Sequence, residues 1–209
     1  MTTNKKLLVI LDPAHGIDVE GKRSPDGRHR EYLWSRERLK VIEHLLQAHE
    51  YTVAWTSTSD HEIGLTNRKN IGTKLAKQYP DLVPLFISLH NDASGVTPEW
   101  RQARGASVWT SKGRTTSDIF ADFFIQRMTE WMPNINRRIY SPAYLDRDFE
   151  NDFTVLMGDY SALLIECGFQ DNKEDVALLE NPRFCKQVED WIVDSIEDCN
   201  NYVIEKMTK

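Results

Sequence analysis

The stretch that decides the fold is LLVILDPAHG, residues 7 to 16, in which five apolar residues lead through Asp-Pro to a histidine. A continuous apolar run of this length, ended by a turn signal, predicts a buried strand, here from Lys6 to Leu11. Two later stretches have the same form, since PLFISLHND delivers His90 and ALLIECGF places Glu166 near its end. Three predicted strands therefore each bring a residue capable of catalysis or metal binding towards one end.

The rest of the chain alternates helical patterns with short apolar runs. Such alternation predicts an α/β fold, a single-domain three-layer sandwich with a twisted, mostly parallel sheet and helices on both faces. We expect one catalytic domain over residues 1–209, because this length supports one well-buried core. The predicted helices are 31–48, 67–78, 117–131 and 183–206. After the first strand, the predicted strands are 51–56, 82–89, 106–110 and 161–167, which include the one that leads to His90 and the one that contains Glu166. The long polar loops are 17–30, 92–104 and 134–152.

Composition excludes several classes of function. The net charge is −6 with a pI near 5.5 and no basic cluster, so neither nucleic acid nor an anionic membrane is expected as a partner. The apolar run from Leu7 to Leu11 is too short for a signal peptide, which predicts a protein made in the cytoplasm without a recognisable leader. Three cysteines without CxxC spacing indicate reduced thiols rather than disulfides or a cysteine metal site. The oligomeric state is left open.

The three candidate residues should meet. Ligands of open α/β sheets bind beyond the carboxyl ends of the parallel strands, and Glu31, opening the first helix, can lie at the same edge. The two imidazoles of His15 and His90 with the Glu31 carboxylate suit a catalytic zinc ion with one open position. Zinc there would polarise a carbonyl and activate water, with Glu166 as the candidate base.

These residues resemble the zinc-dependent N-acetylmuramoyl-L-alanine amidases of type 3. The resemblance runs through DPAHG, Glu31, the Arg68 region, SLHND, GASVW and IECGFQDN, and covers roughly Leu7 to Ile204. It implies that His15, Glu31 and His90 bind Zn²⁺ and that Glu166 is the catalytic glutamate. The implied reaction is hydrolysis of the amide bond between the lactyl group of N-acetylmuramic acid and L-alanine in peptidoglycan, the implied partner.

The chain departs from the family pattern at a few positions. Ala14 replaces a glycine and keeps the position small, whereas Gly72-Thr73 replaces the usual Ala-Asn pair and puts the packing of that helix in question. Loops 17–30 and 92–104 match no motif and should determine substrate choice.

Other side chains have second interpretations. Asp12 either hydrogen-bonds a ligand imidazole or caps the turn after the first strand, and Arg68 belongs to the same candidate group of supporting or substrate-binding residues. Trp100 either stacks on sugar or anchors its loop. His29 either lines the cleft or is an exposed loop residue, and we expect the exposed position. We expect Cys167 to face the packed helices because its neighbour Glu166 faces the cleft.

Two rival functions fit the same pattern. A zinc peptidase cutting within the stem peptide uses the same metal chemistry, and a catalytically idle wall-binding module could keep the fold. An intact ligand set with Glu166 favours an enzyme. Its expected setting is that of a phage or prophage lysin, or of a cell-wall remodelling enzyme whose leader is missing from the sequence.

Overall fold

The computed structural model describes residues 5–208. Helices and strands follow each other nearly as the apolar pattern predicts. The strands are β1 (Leu7–Pro13), β2 (Thr52–Trp55), β3 (Val83–Asp92), β4 (Ala106–Thr110), β5 (Phe149–Glu150) and β6 (Ser161–Phe169). The helices are α1 (Glu31–Ala48), α2 (Leu65–Gln78), α3 (Thr116–Trp131), α4 (Lys173–Leu179) and α5 (Pro182–Met207), with a 3₁₀ turn at Thr154–Leu156.

The strands form a sheet in the order β2-β1-β3-β6-β4-β5. The pairs β1–β2, β1–β3, β3–β6 and β4–β5 are parallel, and β4 pairs with β6 in the antiparallel direction, so β4 and β5 run opposite to the other four strands. The predicted α/β fold with a mostly parallel sheet is confirmed. Because β1, β3 and β6 lie side by side and run the same way, their carboxyl ends share one edge of the sheet.

Both faces of the sheet are covered. One face packs under α1, α3, α4 and α5 around the fully buried Trp191, and the other packs under α2 and the 3₁₀ turn around Phe86. Alternating strand residues supply the two cores. Cys167 lies in the first core, as predicted, and all three cysteines are free and buried. Within residues 5–208 no helix has the length and apolar character needed to cross a membrane.

The strands at the site extend further than their apolar runs. β1 reaches Pro13, which pairs with Leu89, and β3 reaches Asp92, which pairs with Phe169. Hydrogen bonding to a parallel neighbour maintains the extended backbone even where the side chains become polar. The short elements β5 and α4 were not predicted, although Asn172 caps α4 by accepting hydrogen bonds from the amides of Glu174 and Asp175.

The unusual Gly72-Thr73 pair has a packing explanation. A Cβ atom at position 72 would lie 2.7 Å from the Tyr160 ring and 3.1 Å from Phe86. The Tyr160 ring stacks on Phe86 with 4.5 Å between centroids, so it occupies the space next to the helix. The Thr73 hydroxyl accepts a hydrogen bond from the Asp159 amide. The pair therefore fits α2 to the segment that leads into β6.

Candidate metal centre

Three predicted ligands come together at the carboxyl edge of the sheet. His15 follows β1 by two residues, His90 lies near the end of β3, and Glu31 is the first residue of α1. One potential ligand atom from each lies within 4.8 Å of the others. The His15 and His90 rings meet edge to face, with 5.0 Å between their centroids. This grouping of two imidazoles and a carboxylate is the donor set that catalytic zinc prefers.

Glu31 is the centre of the cluster. Its Oε1 lies 2.9 Å from His90 Nδ1 and 3.5 Å from His15 Nε2, and it accepts a hydrogen bond of 3.1 Å from the Asn91 amide. The residue is fully buried, and Oε2 has no hydrogen-bond partner among the described residues. A buried, unpartnered carboxylate oxygen beside two imidazoles is costly unless a cation binds there. The residues present therefore fit a divalent metal.

The electrostatics of the cluster agree with this fit. Burial lowers the pKa of His15 to about 4, which keeps the imidazole neutral and able to donate a lone pair. Burial would raise the pKa of Glu31, but the hydrogen bond with His90 and the electrostatic attraction of the neighbouring His90 and His15 rings outweigh it, and the pKa lies below its usual value. The carboxylate is thus held ionised. Both protonation states are those that a metal ligand needs.

Glu166 lies beside the cluster on the neighbouring strand. It pairs with His90 across β3–β6 and with Ser107 across β6–β4, so all three side chains share one face of the sheet. Its Oε2 is buried without a partner in the part of the chain that is described. Burial, followed by the negative charges of Glu31 and Asp92, raises its pKa well above the ordinary value. A carboxyl group that holds a proton readily is suited to acid–base chemistry.

Two arginines hold the backbone that presents His15. Arg36 of α1 donates to the carbonyl oxygens of Ala14 at 2.8 Å and His15 at 2.7 Å. Arg68 of α2 donates to the carbonyl oxygens of Pro13 and, at 3.2 Å, His15. His15 has a φ of 40°, a left-handed conformation that is uncommon outside glycine. The two guanidinium groups satisfy the carbonyls that this sharp turn exposes.

Asp12 is connected to the cluster by hydrogen bonds through Ser88. The Ser88 hydroxyl donates to Asp12 Oδ2 at 2.7 Å and lies 3.1 Å from His90 Nε2. Because that hydroxyl has already donated its proton, it can accept one from Nε2, and in that tautomer Nδ1 of His90 would offer its lone pair to a metal. Asp12 also accepts hydrogen bonds from Thr56 and Arg68. The sequence reasoning singled out Asp12 and Arg68 but missed Ser88 and Arg36.

His29 is buried, which differs from the position predicted from the sequence. The residue is only 4% exposed, and its Nε2 lies 2.8 Å from the Asn91 side-chain oxygen. Asn91 in turn donates to the Cys167 carbonyl oxygen. The prediction of an exposed loop residue was wrong because the loop folds back through a turn in which the Ser24 amide donates to the His29 carbonyl. His29 thereby packs beneath the cluster.

Trp100 is not part of this cluster. It is partly buried in its loop, and its ring centroid lies 5.7 Å from Lys173 Nζ at the start of α4. Across residues 5–208 it makes no hydrogen bond or ring contact with the three clustered residues. This position leaves its proposed contact with sugar as a prediction.

Comparisons with known proteins agree on one family. The family model described as N-acetylmuramoyl-L-alanine amidase matches residues 9–198. Two curated relatives, each a probable cell wall amidase LytH from a strain of Staphylococcus epidermidis, are 24% identical over 193 residues, which cover 90% of this chain and 57% of theirs. The chain thus spans little more than half the length of these relatives.

Solved structures show the same fold. An N-acetylmuramoyl-L-alanine amidase from Clostridium difficile 630 has a TM-score of 0.78 at 22% identity, covering 93% of this chain and 96% of that one. The catalytic domain of CwlV from Bacillus (Paenibacillus) polymyxa var. colistinus has a TM-score of 0.74 at 21% identity, covering 91% and 96%. AmiC2 of Nostoc punctiforme has a TM-score of 0.74 at 21% identity, covering 92% and 96%.

Proposed function

Because this chain belongs to the N-acetylmuramoyl-L-alanine amidase family, we propose that it hydrolyses the amide bond between N-acetylmuramic acid and L-alanine in peptidoglycan. The observation that carries the proposal is the meeting of His15, Glu31 and His90 within 4.8 Å, with Glu166 on the adjacent strand. The bacterial cell wall is the proposed place of action, either as a lysin or as a remodelling enzyme. The similarity to relatives described as probable cell wall amidases supports that setting.

His15, Glu31 and His90 would hold one zinc ion. When bound, zinc supplies Lewis acidity, which polarises the scissile carbonyl and makes water a stronger nucleophile at neutral pH. Glu31, buried and ionised, supplies the negative charge of the site, and the neutral imidazole of His15 and the imidazole of His90 complete it. Asp12, acting through Ser88, orients the His90 ring, and Arg36 with Arg68 fixes the backbone of His15.

Glu166 would move the proton. Its carboxylate takes a proton from the attacking water and returns it to the nitrogen of L-alanine, so that the amine leaves uncharged while the lactyl carbon gains the hydroxyl. The balance is one water consumed, one C–N bond broken, and one carboxyl and one amino group formed. The raised pKa of Glu166 favours the second half of this cycle, in which the residue acts as an acid.

The test is digestion of purified peptidoglycan by the zinc-loaded protein, with and without chelator, followed by mass analysis of the soluble products. Release of peptides that begin with L-alanine, abolished by chelator and restored by zinc, supports the proposal. Release of fragments cut within the stem peptide would instead indicate a zinc peptidase and contradict the amidase proposal. Absence of any released product would favour a wall-binding module.

A further inference from the structure

A cavity of about 460 Å³ lies between the two loops that match no family motif, and its lining includes Ile17 and Arg30, which are close in sequence to the clustered His15 and Glu31. Residues 17–25 and Arg30 form one wall, and residues 93–98 form much of the other. Its floor consists of Gln170 and Asp171, which directly follow the strand that carries Glu166. The cavity therefore lies at the carboxyl edge of the sheet, beyond the ends of β3 and β6.

The floor carries polar atoms that lack partners. Gln170 is 2% exposed, and its Oε1 has no hydrogen-bond partner within residues 5–208, although its backbone amide donates to Asp92. Asp171 Oδ2 accepts from the amide and hydroxyl of Ser94, but its Oδ1 is unpartnered. A buried acceptor without a partner is destabilising, and a ligand with N–H groups would satisfy it.

The wall of the cavity adds a positive charge. Lys22 is half-buried, and its ammonium group makes no hydrogen bond or ion pair with another described residue. Its charge acts on His15, Glu31 and Glu166 together, and its backbone carbonyl accepts a hydrogen bond of 3.2 Å from the Glu31 amide. Lys22 therefore belongs to the cavity lining and is close enough to these three residues for its charge to act on them, so it can attract a carboxylate of a ligand.

The lining favours a peptide over a sugar. None of the described residues that line the cavity is aromatic, whereas rings that stack on sugar faces would need Trp, Tyr or Phe. Gln170 lies four residues beyond Glu166, and because Gly168 between them has a φ of 76°, their separation is less than the roughly 13 Å that a fully extended strand would span. An extended peptide covers that separation within about four residues, so the part following the scissile bond can reach the floor.

We propose that this cavity binds the peptide portion of the substrate, with Gln170 and Asp171 accepting its N–H groups and Lys22 pairing with a carboxylate close to the L-alanine. This assignment rests on the proposed amidase function. It places the peptide portion of the substrate, and not the glycan, in the cavity. It makes Lys22 and Gln170 determinants of specificity rather than catalytic residues.

Binding of defined fragments to the full chain tests the proposal without requiring turnover. The probes are L-alanyl-γ-D-glutamyl-L-lysine amide, which has a free glutamyl carboxylate, its D-isoglutamine analogue, which has a carboxamide there, and the disaccharide of N-acetylglucosamine and N-acetylmuramic acid. Titration calorimetry compares the wild type with Lys22→Met, Gln170→Ala and the control Lys40→Met, which removes the same charge from an exposed position of α1.

The wild type should prefer the carboxylate peptide, and Lys22→Met should weaken that peptide about tenfold while abolishing the preference. Gln170→Ala should weaken both peptides about threefold or more, and Lys40→Met should change neither. The proposal is overturned if the wild type binds neither peptide, or if the Lys22 variant alters disaccharide binding and leaves peptide binding intact. If peptide binding depends on Lys22 but no muropeptide is hydrolysed, the amidase proposal fails while the peptide site stands.

Discussion

The guanidinium of Arg36 donates a hydrogen bond of 2.7 Å to the carbonyl oxygen of His15, a residue held at a φ of 40°. The same side chain also bonds the carbonyl oxygens of Ala14 and Tyr32. A helix of the sandwich thereby fixes the turn that follows the first strand. The position of one proposed zinc ligand depends on this contact, because the left-handed backbone of His15 is unfavourable without outside support.

Replacement of Arg36 by Met should affect both folding and metal binding. Loss of hydrogen bonds to buried carbonyls should lower the free energy of unfolding by about 1–3 kcal/mol. Disturbing the residue that orients a ligand should weaken zinc binding about 10–100-fold. Chemical denaturation and a competitive zinc titration measure the two effects.

Arg127→Met is the matched control, since Arg127 forms a half-exposed ion pair with Asp198. It should change stability by less than about 1 kcal/mol and leave zinc affinity unaltered. Wild-type zinc affinity in the Arg36 variant would show that the arginine does not position His15.

Glu31→Gln should remove the charge of the metal centre while preserving its volume. We expect zinc affinity to fall at least about 100-fold, because the neutral amide is a poor zinc ligand and cannot balance the ion's charge. Metal analysis after equilibrium dialysis gives the stoichiometry. Glu37→Gln on the exposed side of the same helix should keep one zinc per chain. Full zinc occupancy in Glu31→Gln would exclude Glu31 as a ligand.

Gly72→Ala should destabilise the protein although alanine is the better helix former. A Cβ atom there would lie 2.7 Å from the Tyr160 ring, so the variant should lose about 1–3 kcal/mol by overpacking. Thermal and denaturant unfolding measure the loss. Adding Tyr160→Leu should make Gly72→Ala less costly than it is in the wild type, and equal costs in both backgrounds would refute the contact as the cause.

Asp148 should make stability depend on pH near neutrality. It is 4% exposed, accepts a hydrogen bond from Thr110, and has its pKa raised to about 6, chiefly by burial. The unfolded chain releases this proton near pH 4, so the contribution of Asp148 to stability is full below that pH. It is lost as the pH rises through about 6.

Asp148→Asn should therefore be more stable than the wild type at pH 7.5, by about 1 kcal/mol once screening by water is allowed for, with little difference at pH 4. Denaturant titrations across this range measure it. Asp81→Asn removes the same charge from an exposed position and corrects for net charge. A constant difference between Asp148→Asn and the wild type from pH 4 to 7.5 would contradict the account.

Much of the fold follows from periodicity alone. The apolar runs that end in His90 and contain Glu166 are buried parallel strands, and the bounds of β4 were predicted without error. The antiparallel direction of β4 was not predictable, because strand direction depends on the path of the connecting loop and not on side-chain pattern. The strand β5 has two residues and α4 has seven, which is too little for a period to be recognised.

Some residues of the candidate site could likewise be predicted from the sequence, and others could not. His15, Glu31 and His90 could be grouped because strand ends converge and the motifs resemble a family. The role of Arg36 could not be predicted from the pattern, because a charged residue within a helix is normally expected on the solvent-exposed face. Here Arg36 is buried and donates to backbone carbonyl oxygens. Backbone acceptors leave no trace in a sequence. His29 was misplaced for a related reason, since its polar loop folds inward onto Asn91.

The proposed role of Glu166 can be tested by measuring turnover of a soluble N-acetylmuramoyl-L-alanyl peptide by the zinc-loaded Glu166→Gln variant. We expect the variant to keep the fold and one zinc per chain, while its kcat falls about 10²–10⁴-fold, because the group that moves the proton is lost. Turnover within about twofold of the wild type, with zinc bound, would contradict the role of Glu166 and the mechanism built on it.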